Sequence, residues 1–114
     1  MEYFINESKQ IGYQASGVLD SKALTMGTEF IQEKIQQAID GAAMLGASLY
    51  CGEFGVIDQA PVEDTLKWFK DVDSVFDKFD IGCSVWTYKK MDFGITDEHY
   101  KDIKDDLIAL WTRK

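Results

Sequence analysis

Amphipathic helical stretches alternate with short apolar runs along most of this chain, and that alternation constrains the fold more than any other feature. From Thr28 onward, Ile31, Ile35, Ala38, Ile39, Ala42 and Leu45 recur at spacings of three and four, while Gln32, Glu33, Gln36, Gln37 and Asp40 fill the other face. That spacing predicts an amphipathic helix over 28–45. Thr28 is the expected cap, Glu29 and Glu33 suit the positive end of the dipole, and Gly46 suits the left-handed residue that ends the helix. An apolar run of strand type follows at 47–52. Pro61, the only proline, lacks a donor and has a fixed φ that fits a first helical turn. It opens a second helix, 61–79, with Val62, Leu66, Phe69, Val72, Phe76 and Phe79 as its stripe. The β-branched and aromatic residues of 81–87 predict a second strand. A last helix is expected over 96–112, capped by Thr96, with Tyr100, Ile103, Leu107, Leu110 and Trp111 on one face. Residues 1–27 show no sustained period and read as loop.

Strands alternating with helices of this length imply an α/β fold with parallel pairing through right-handed crossovers. At 114 residues one domain is expected. Two parallel strands do not make a complete sheet, because all-parallel sheets are buried on both faces. The helices cover one face only. A second copy, further chain, or residues 1–24 with Tyr3, Phe4 and Ile5 are the expected covers for the other. Twenty acidic against 12 basic residues give a net charge of −8, which repels phosphate backbones, so nucleic acid is not an expected partner. No run approaches the length of a membrane span, the first residues are too polar for a signal peptide, and a soluble chain is expected. Cys51 and Cys83 lie 32 residues apart with His99 as the single histidine. That spacing predicts neither a zinc site nor any other metal or cofactor.

The stretch that carries chemistry is 49–57, in which Glu53 stands between Gly52 and Gly55 at the end of the first apolar run. The glycines let the backbone leave the strand at angles that a Cβ resists. In α/β proteins the carboxyl ends of strands are where loops gather residues around one cavity. A solvated loop carboxylate is the plain alternative for Glu53. After the second strand come Trp86 and a loop holding Lys89, Lys90 and Asp92. Trp86 offers a flat apolar face, and Lys89 and Asp92 offer hydroxyl-binding groups. The alternatives are packing for Trp86 and a solvated loop for the three charged residues. Tyr50 and Phe54 read as wall or helix-facing packing.

Residues 49–57, the run Asp80, Ile81, Gly82, and the run from Val85 through Trp86, Thr87, Tyr88, Lys89, Lys90, Met91 and Asp92 to Phe93 resemble the carboxyl-terminal part of glycoside hydrolase family 5, the bacterial endoglucanases in particular. The likeness is strong over 47–95 and looser elsewhere. It implies a carboxyl-terminal fragment of a TIM (β/α)₈ barrel, with Glu53 matching the nucleophile of a retaining β-glycan hydrolase and Trp86 the aromatic that stacks on the sugar. It implies β-glucan or a related glycan as partner. A barrel of this kind takes about 250 residues, so most strands, and the acid/base with them, are absent. Asn6 and Glu7 copy the start of the family's acid/base motif, but Ser8 replaces its proline and 46 residues to Glu53 leave no room for the intervening units. Without a proton donor the stretch is expected to be inactive alone. The reading of another class is a non-catalytic α/β module that binds sugar or associates with itself.

Alternation counted from Glu53 and Trp86, both taken as inward, sends Cys51 inward and Cys83 outward, so the two are expected to remain unbridged thiols with diverging Cβ atoms.

Overall fold

A computed structural model describes residues 25–112. The elements run α1 (Thr28–Leu45), β1 (Tyr50–Phe54), α2 (Val62–Lys78), β2 (Gly82–Val85), a 3₁₀ turn (Glu98–Tyr100) and α3 (Lys104–Thr112). Tyr3, Phe4, Ile5, Asn6, Glu7 and the rest of 1–24, and with them any role as cover or acid/base, lie outside the described residues. Both strands pair in parallel in a single two-stranded sheet.

Local chemistry sets most boundaries. Gly46 ends α1 at φ 62°, and the Ala47 N–H reaches the Ala42 carbonyl at 2.9 Å, closing the last turn as a left-handed cap does. The start of α1 differs from expectation: Gly27, not Thr28, is the capping residue, and no side chain bonds the first turn. Gly27 is buried, and a Cβ there would stand 3.3 Å from Thr25 Oγ1, so close packing rather than a capping hydroxyl shapes this end. Pro61 sits just before α2, with Glu63 and Asp64 in the first turn and Lys78 in the last.

The final helix is not continuous. Tyr100, Lys101 and Ile103 donate to carbonyls three residues back, and α-helical bonding begins where the Leu107 N–H meets the Ile103 carbonyl at 2.9 Å. The tighter turn brings Tyr100, Ile103 and Leu107 into the core together, each buried. Tertiary packing has overridden the helical period.

The core lies between the sheet, α2 and α3. Phe69 and Leu107 are fully buried, and Phe54, Val62, Leu66, Trp68, Val85, Ile95, Leu110 and Trp111 close around them. Phe54 meets the Phe76, Phe69 and Trp68 rings at 5.3, 5.9 and 6.2 Å between centroids, the first two edge to face. α1 contributes no buried residue; it leans on α2, with Lys78 Nζ donating to Gln32 Oε1 at 2.9 Å, and leaves Met44 and Leu45 in solvent.

The strand register explains how side chains are distributed. Tyr50 pairs with Gly82 and Cys51 with Cys83, but the next pair is Phe54 with Val85. β1 therefore carries one residue more than β2 over this interval, a bulge at Gly52 and Glu53. Phe54 and Val85 face the helices. Alternation from Val85 puts Ser84, Gly82 and Trp86 on the opposite face, open among the described residues, and Tyr50 with its partner Gly82. Tyr50 is 65% exposed, and its hydroxyl hydrogen-bonds that of Ser84. Of the two aromatic residues expected to pack as wall, Phe54 does so and Tyr50 does not.

The bulge also corrects the cysteine geometry. Strict alternation from Glu53 would have turned Cys51 away from Cys83, but the extra residue resets the count. The two cysteines are direct partners, two positions before the Val85 pair and on its face.

Candidate active site

Glu53 projects from the bulge. The strands end at 54 and 85, later than expected for the first and earlier for the second, so Glu53 stands inside β1 rather than beyond it. Counting back from Phe54 puts Glu53 on the open face that also takes Trp86. Both side chains are solvent-accessible. Among the described residues nothing hydrogen-bonds the Glu53 carboxylate; its backbone carbonyl accepts the Cys51 thiol at 3.4 Å.

The two strand ends are held together by backbone. The Trp86 N–H donates to the Phe54 carbonyl at 2.7 Å. One residue on, a Cβ at Gly55 would lie 2.0 Å from the Trp86 carbonyl oxygen, so only glycine permits this approach. Gly52 has nothing within 4 Å of a Cβ, and neither glycine has a φ in the left-handed range; the need for glycine is one of space, and it falls on Gly55.

Beyond Trp86, whose peptide bond to Thr87 is cis, the loop is shaped by three consecutive left-handed residues, Lys90, Met91 and Asp92, at φ 68°, 61° and 62°. Each such residue with a Cβ costs roughly 1–2 kcal/mol. Hydrogen bonds offset that cost: the Lys90 N–H donates to Asp97 Oδ2 at 2.8 Å, and Thr96 Oγ1 to the Tyr88 carbonyl at 2.7 Å. The Asp58 N–H donates to the Asp92 carbonyl at 2.7 Å, joining this loop to the one after β1. Asp92 thus acts here through its backbone. The side chains of Lys89 and Asp92 are exposed and have no partner among the described residues.

Beneath the first loop lies a set of residues that periodicity did not single out for the site. Tyr100 is 1% exposed and donates its hydroxyl to the Val56 carbonyl, three residues after Glu53. Burial pushes its pKa up; the Thr65 hydroxyl opposes this and the Asp58 charge adds to it. His99 packs edge-on against Tyr100 at 4.0 Å between centroids, with Nδ1 4.0 Å from Asp58 Oδ2. Tyr100 was legible only as one more member of a helical stripe. Asp97 was legible only as a first-turn acid.

A cavity of about 910 Å³ is lined by Met26, Val56, Ile57, Trp68, Phe93 and neighbouring residues, and includes none of Glu53, Trp86, Lys89 and Asp92. Its walls are mainly apolar, with Asp64, Thr65 and Lys67 as polar members of the lining and Gly55 on one side. Glu53 and Trp86 lie instead on the face of the sheet opposite the helices. Among the described residues no cluster of His, Cys, Asp and Glu would hold a metal ion, and no helix is long and apolar enough to cross a membrane.

Parallel strands with helices on one face, a carboxylate and an indole on the other, and interlocked loops at the carboxyl ends make up part of an α/β barrel. Solved structures have the same fold. A hyperthermophilic endo-β-1,4-glucanase in complex with substrate matches 76% of this chain and 28% of its own length, with a TM-score of 0.64 and 24% identity. A Thermotoga maritima protein in complex with a mannotriose substrate matches 73% of this chain and 27% of its own, with a TM-score of 0.61 and 23% identity. No protein-family model matches the chain. In sequence it is similar to endoglucanase C of Acetivibrio thermocellus and endoglucanase C307 of Clostridium sp. (strain F1), each 32% identical over 114 residues, which are all of this chain and 32% of the relative. Cellodextrinase A of Ruminococcus flavefaciens is 44% identical over 63 residues, 51% of this chain and 19% of its own. The likeness is to cellulase-type glycoside hydrolases, and the chain spans 32% of the length of the endoglucanases it matches.

Proposed function

We propose that this chain is the carboxyl-terminal part of a retaining β-glycan hydrolase of glycoside hydrolase family 5, of endo-β-1,4-glucanase type, with Glu53 as nucleophile. The observation that carries this reading is the bulge at Gly52 and Glu53, which supports a carboxylate standing clear of the strand on the face shared with Trp86. Retention needs a carboxylate below the anomeric carbon and a second carboxyl about 5 to 5.5 Å away. In the proposed reaction Glu53 forms a bond to the anomeric carbon as the glycosidic C–O bond breaks and the second carboxyl protonates the leaving oxygen. The same second group then takes a proton from water, which displaces Glu53 and restores its carboxylate. Trp86 stacks on the sugar ring beside the scissile bond, and Lys89 and Asp92 bond its hydroxyls.

The acid/base in this reading comes from outside residues 25–112. The stretch alone holds and orients sugar without turning it over. A donor to keep Glu53 ionised would come from the same missing cover, since nothing described bonds its carboxylate. Its open face is covered by that further chain or by a second copy. The alternative function, a non-catalytic α/β module that binds sugar or self-associates, draws support from the exposure of Tyr50 and Trp86 on one face.

The deciding experiment is a reducing-sugar assay on several β-1,4- and mixed-linkage glucans, comparing the 114-residue chain with a polypeptide that joins it to an upstream barrel portion. Activity of the longer form that disappears with Glu53→Gln supports the hydrolase. A longer form that binds cello-oligosaccharides through Trp86 but hydrolyses none supports the module.

A further inference from the structure

The strand register gives Cys51 and Cys83 a relationship that the hydrolase reading does not use. They are Cα partners on adjacent parallel strands, both half-buried, and neither is in a disulfide. Adjacent strands lie about 4.7–4.9 Å apart, inside the range of roughly 4.4–6.8 Å that a disulfide spans between Cα atoms. Residues paired across a parallel sheet send their side chains to the same face, so the two thiols are also aimed alike. Cys51 is in addition coupled to the candidate nucleophile, because its thiol donates to the backbone carbonyl of Glu53 at 3.4 Å.

We propose that Cys51 and Cys83 form a dithiol modification site that a low-molecular-weight disulfide oxidises to a cross-strand bridge, altering the bulge that carries Glu53. One cysteine thiolate attacks a sulfur of the incoming disulfide, forming a mixed disulfide and expelling one thiolate. The second cysteine thiolate then attacks the protein sulfur of that mixed disulfide, closing the bridge and expelling the other. Two protons leave the protein thiols and are taken up by the two expelled thiolates. The protein pair loses two electrons and the small disulfide gains them. The bridge removes the S–H donor from the Glu53 carbonyl. Bridging therefore reaches the bulge whether or not Glu53 is a nucleophile, and the site stands apart from the hydrolase reading.

The test uses the 114-residue chain and oxidised glutathione over a range of thiol-to-disulfide ratios, read by intact mass, thiol titration and non-reducing peptide mapping. The expected product is a single chain that has lost two hydrogens, with the Cys51 and Cys83 peptides joined. In the unfolded chain the same two cysteines close a long loop, which lowers their effective concentration. The native chain should therefore form the bridge with an effective concentration at least ~10² times that in urea. At least one of Cys51→Ser and Cys83→Ser should accumulate a stable mixed disulfide with glutathione on its remaining cysteine. Hydrogen exchange at residues 52–54 should change on bridging while α3 is unaffected. Bridges between chains, native effective concentrations no higher than in urea, or failure of both variants to take up glutathione would each overturn the site. Bridging with unchanged exchange at 52–54 overturns its coupling to Glu53.

Discussion

The carbonyl oxygen of Trp86 occupies the place where a side chain on Gly55 would begin, 2.0 Å from the ideal Cβ position. This contact and the 2.7 Å bond from the Trp86 N–H to the Phe54 carbonyl lock the ends of the two strands together. Gly55→Ala should force them apart and destabilise the chain by about 3 kcal/mol, the upper part of the usual range for overpacking. Gly52→Ala, with open space around it, should stay within about 0.5 kcal/mol of the parent. Urea unfolding followed by tryptophan fluorescence measures both, and equal effects would refute the assignment of the close approach to Gly55 alone.

Tyr100 should make stability fall at alkaline pH. Its pKa is raised in the folded chain from the ordinary value of 10.0, chiefly by burial. Above pH 10 the unfolded chain therefore releases the phenolic proton before the folded chain does, and the free energy of unfolding drops as pH rises. Below pH 10 both forms hold the proton and this contribution is flat. Tyr100→Phe should cost about 1–3 kcal/mol at neutral pH, by leaving the Val56 carbonyl without its donor, and should make the alkaline decline shallower. Thermal unfolding from pH 7 to 11 checks it; an unchanged alkaline limb in the variant counts against the buried phenol as its source.

Glu53→Gln in a polypeptide that restores the proposed acid/base should lower turnover on β-glucan by at least ~10³, the scale of losing a covalent catalyst. Substrate affinity should change little, because the amide keeps the shape of the carboxylate. Steady-state kinetics separate the two quantities. A variant that keeps near-parent turnover removes Glu53 from the nucleophile's role.

The open face should drive association. Tyr50 at 65% and Trp86 at 38% exposure lie on a parallel sheet with no layer described above it, an arrangement that soluble folds avoid. Burying even ~400 Å² of apolar surface contributes on the order of 10 kcal/mol before the costs of association, which offset most of it. Sedimentation over a range of concentrations should show self-association of the 114-residue chain, weakened by Trp86→Ala. A concentration-independent single chain whose Trp86 resists a fluorescence quencher would contradict the prediction.

What the sequence determined by itself was the order of elements and the parallel α/β class. Local rules suffice for these: the three-and-four stripe of α2 around Phe69, the left-handed Gly46 after α1 and the proline before α2 each act within a few residues. The match of 49–57 and 85–93 to a glycan-hydrolase pattern was legible for a related reason, since both motifs are contiguous. Tertiary structure decided everything that depends on two segments meeting. A bulge in β1 is defined only against β2, so no count along one strand could turn Cys51 toward Cys83 or separate the fates of Tyr50 and Phe54. The division of 96–112 into a 3₁₀ turn and a short helix comes from Tyr100 reaching the carbonyl of Val56, 44 residues earlier in the chain. The need for glycine at 55 rather than 52 comes from the backbone of Trp86. In each case the sequence supplied residues able to make the contact, and the approach of distant backbone determined which of them did.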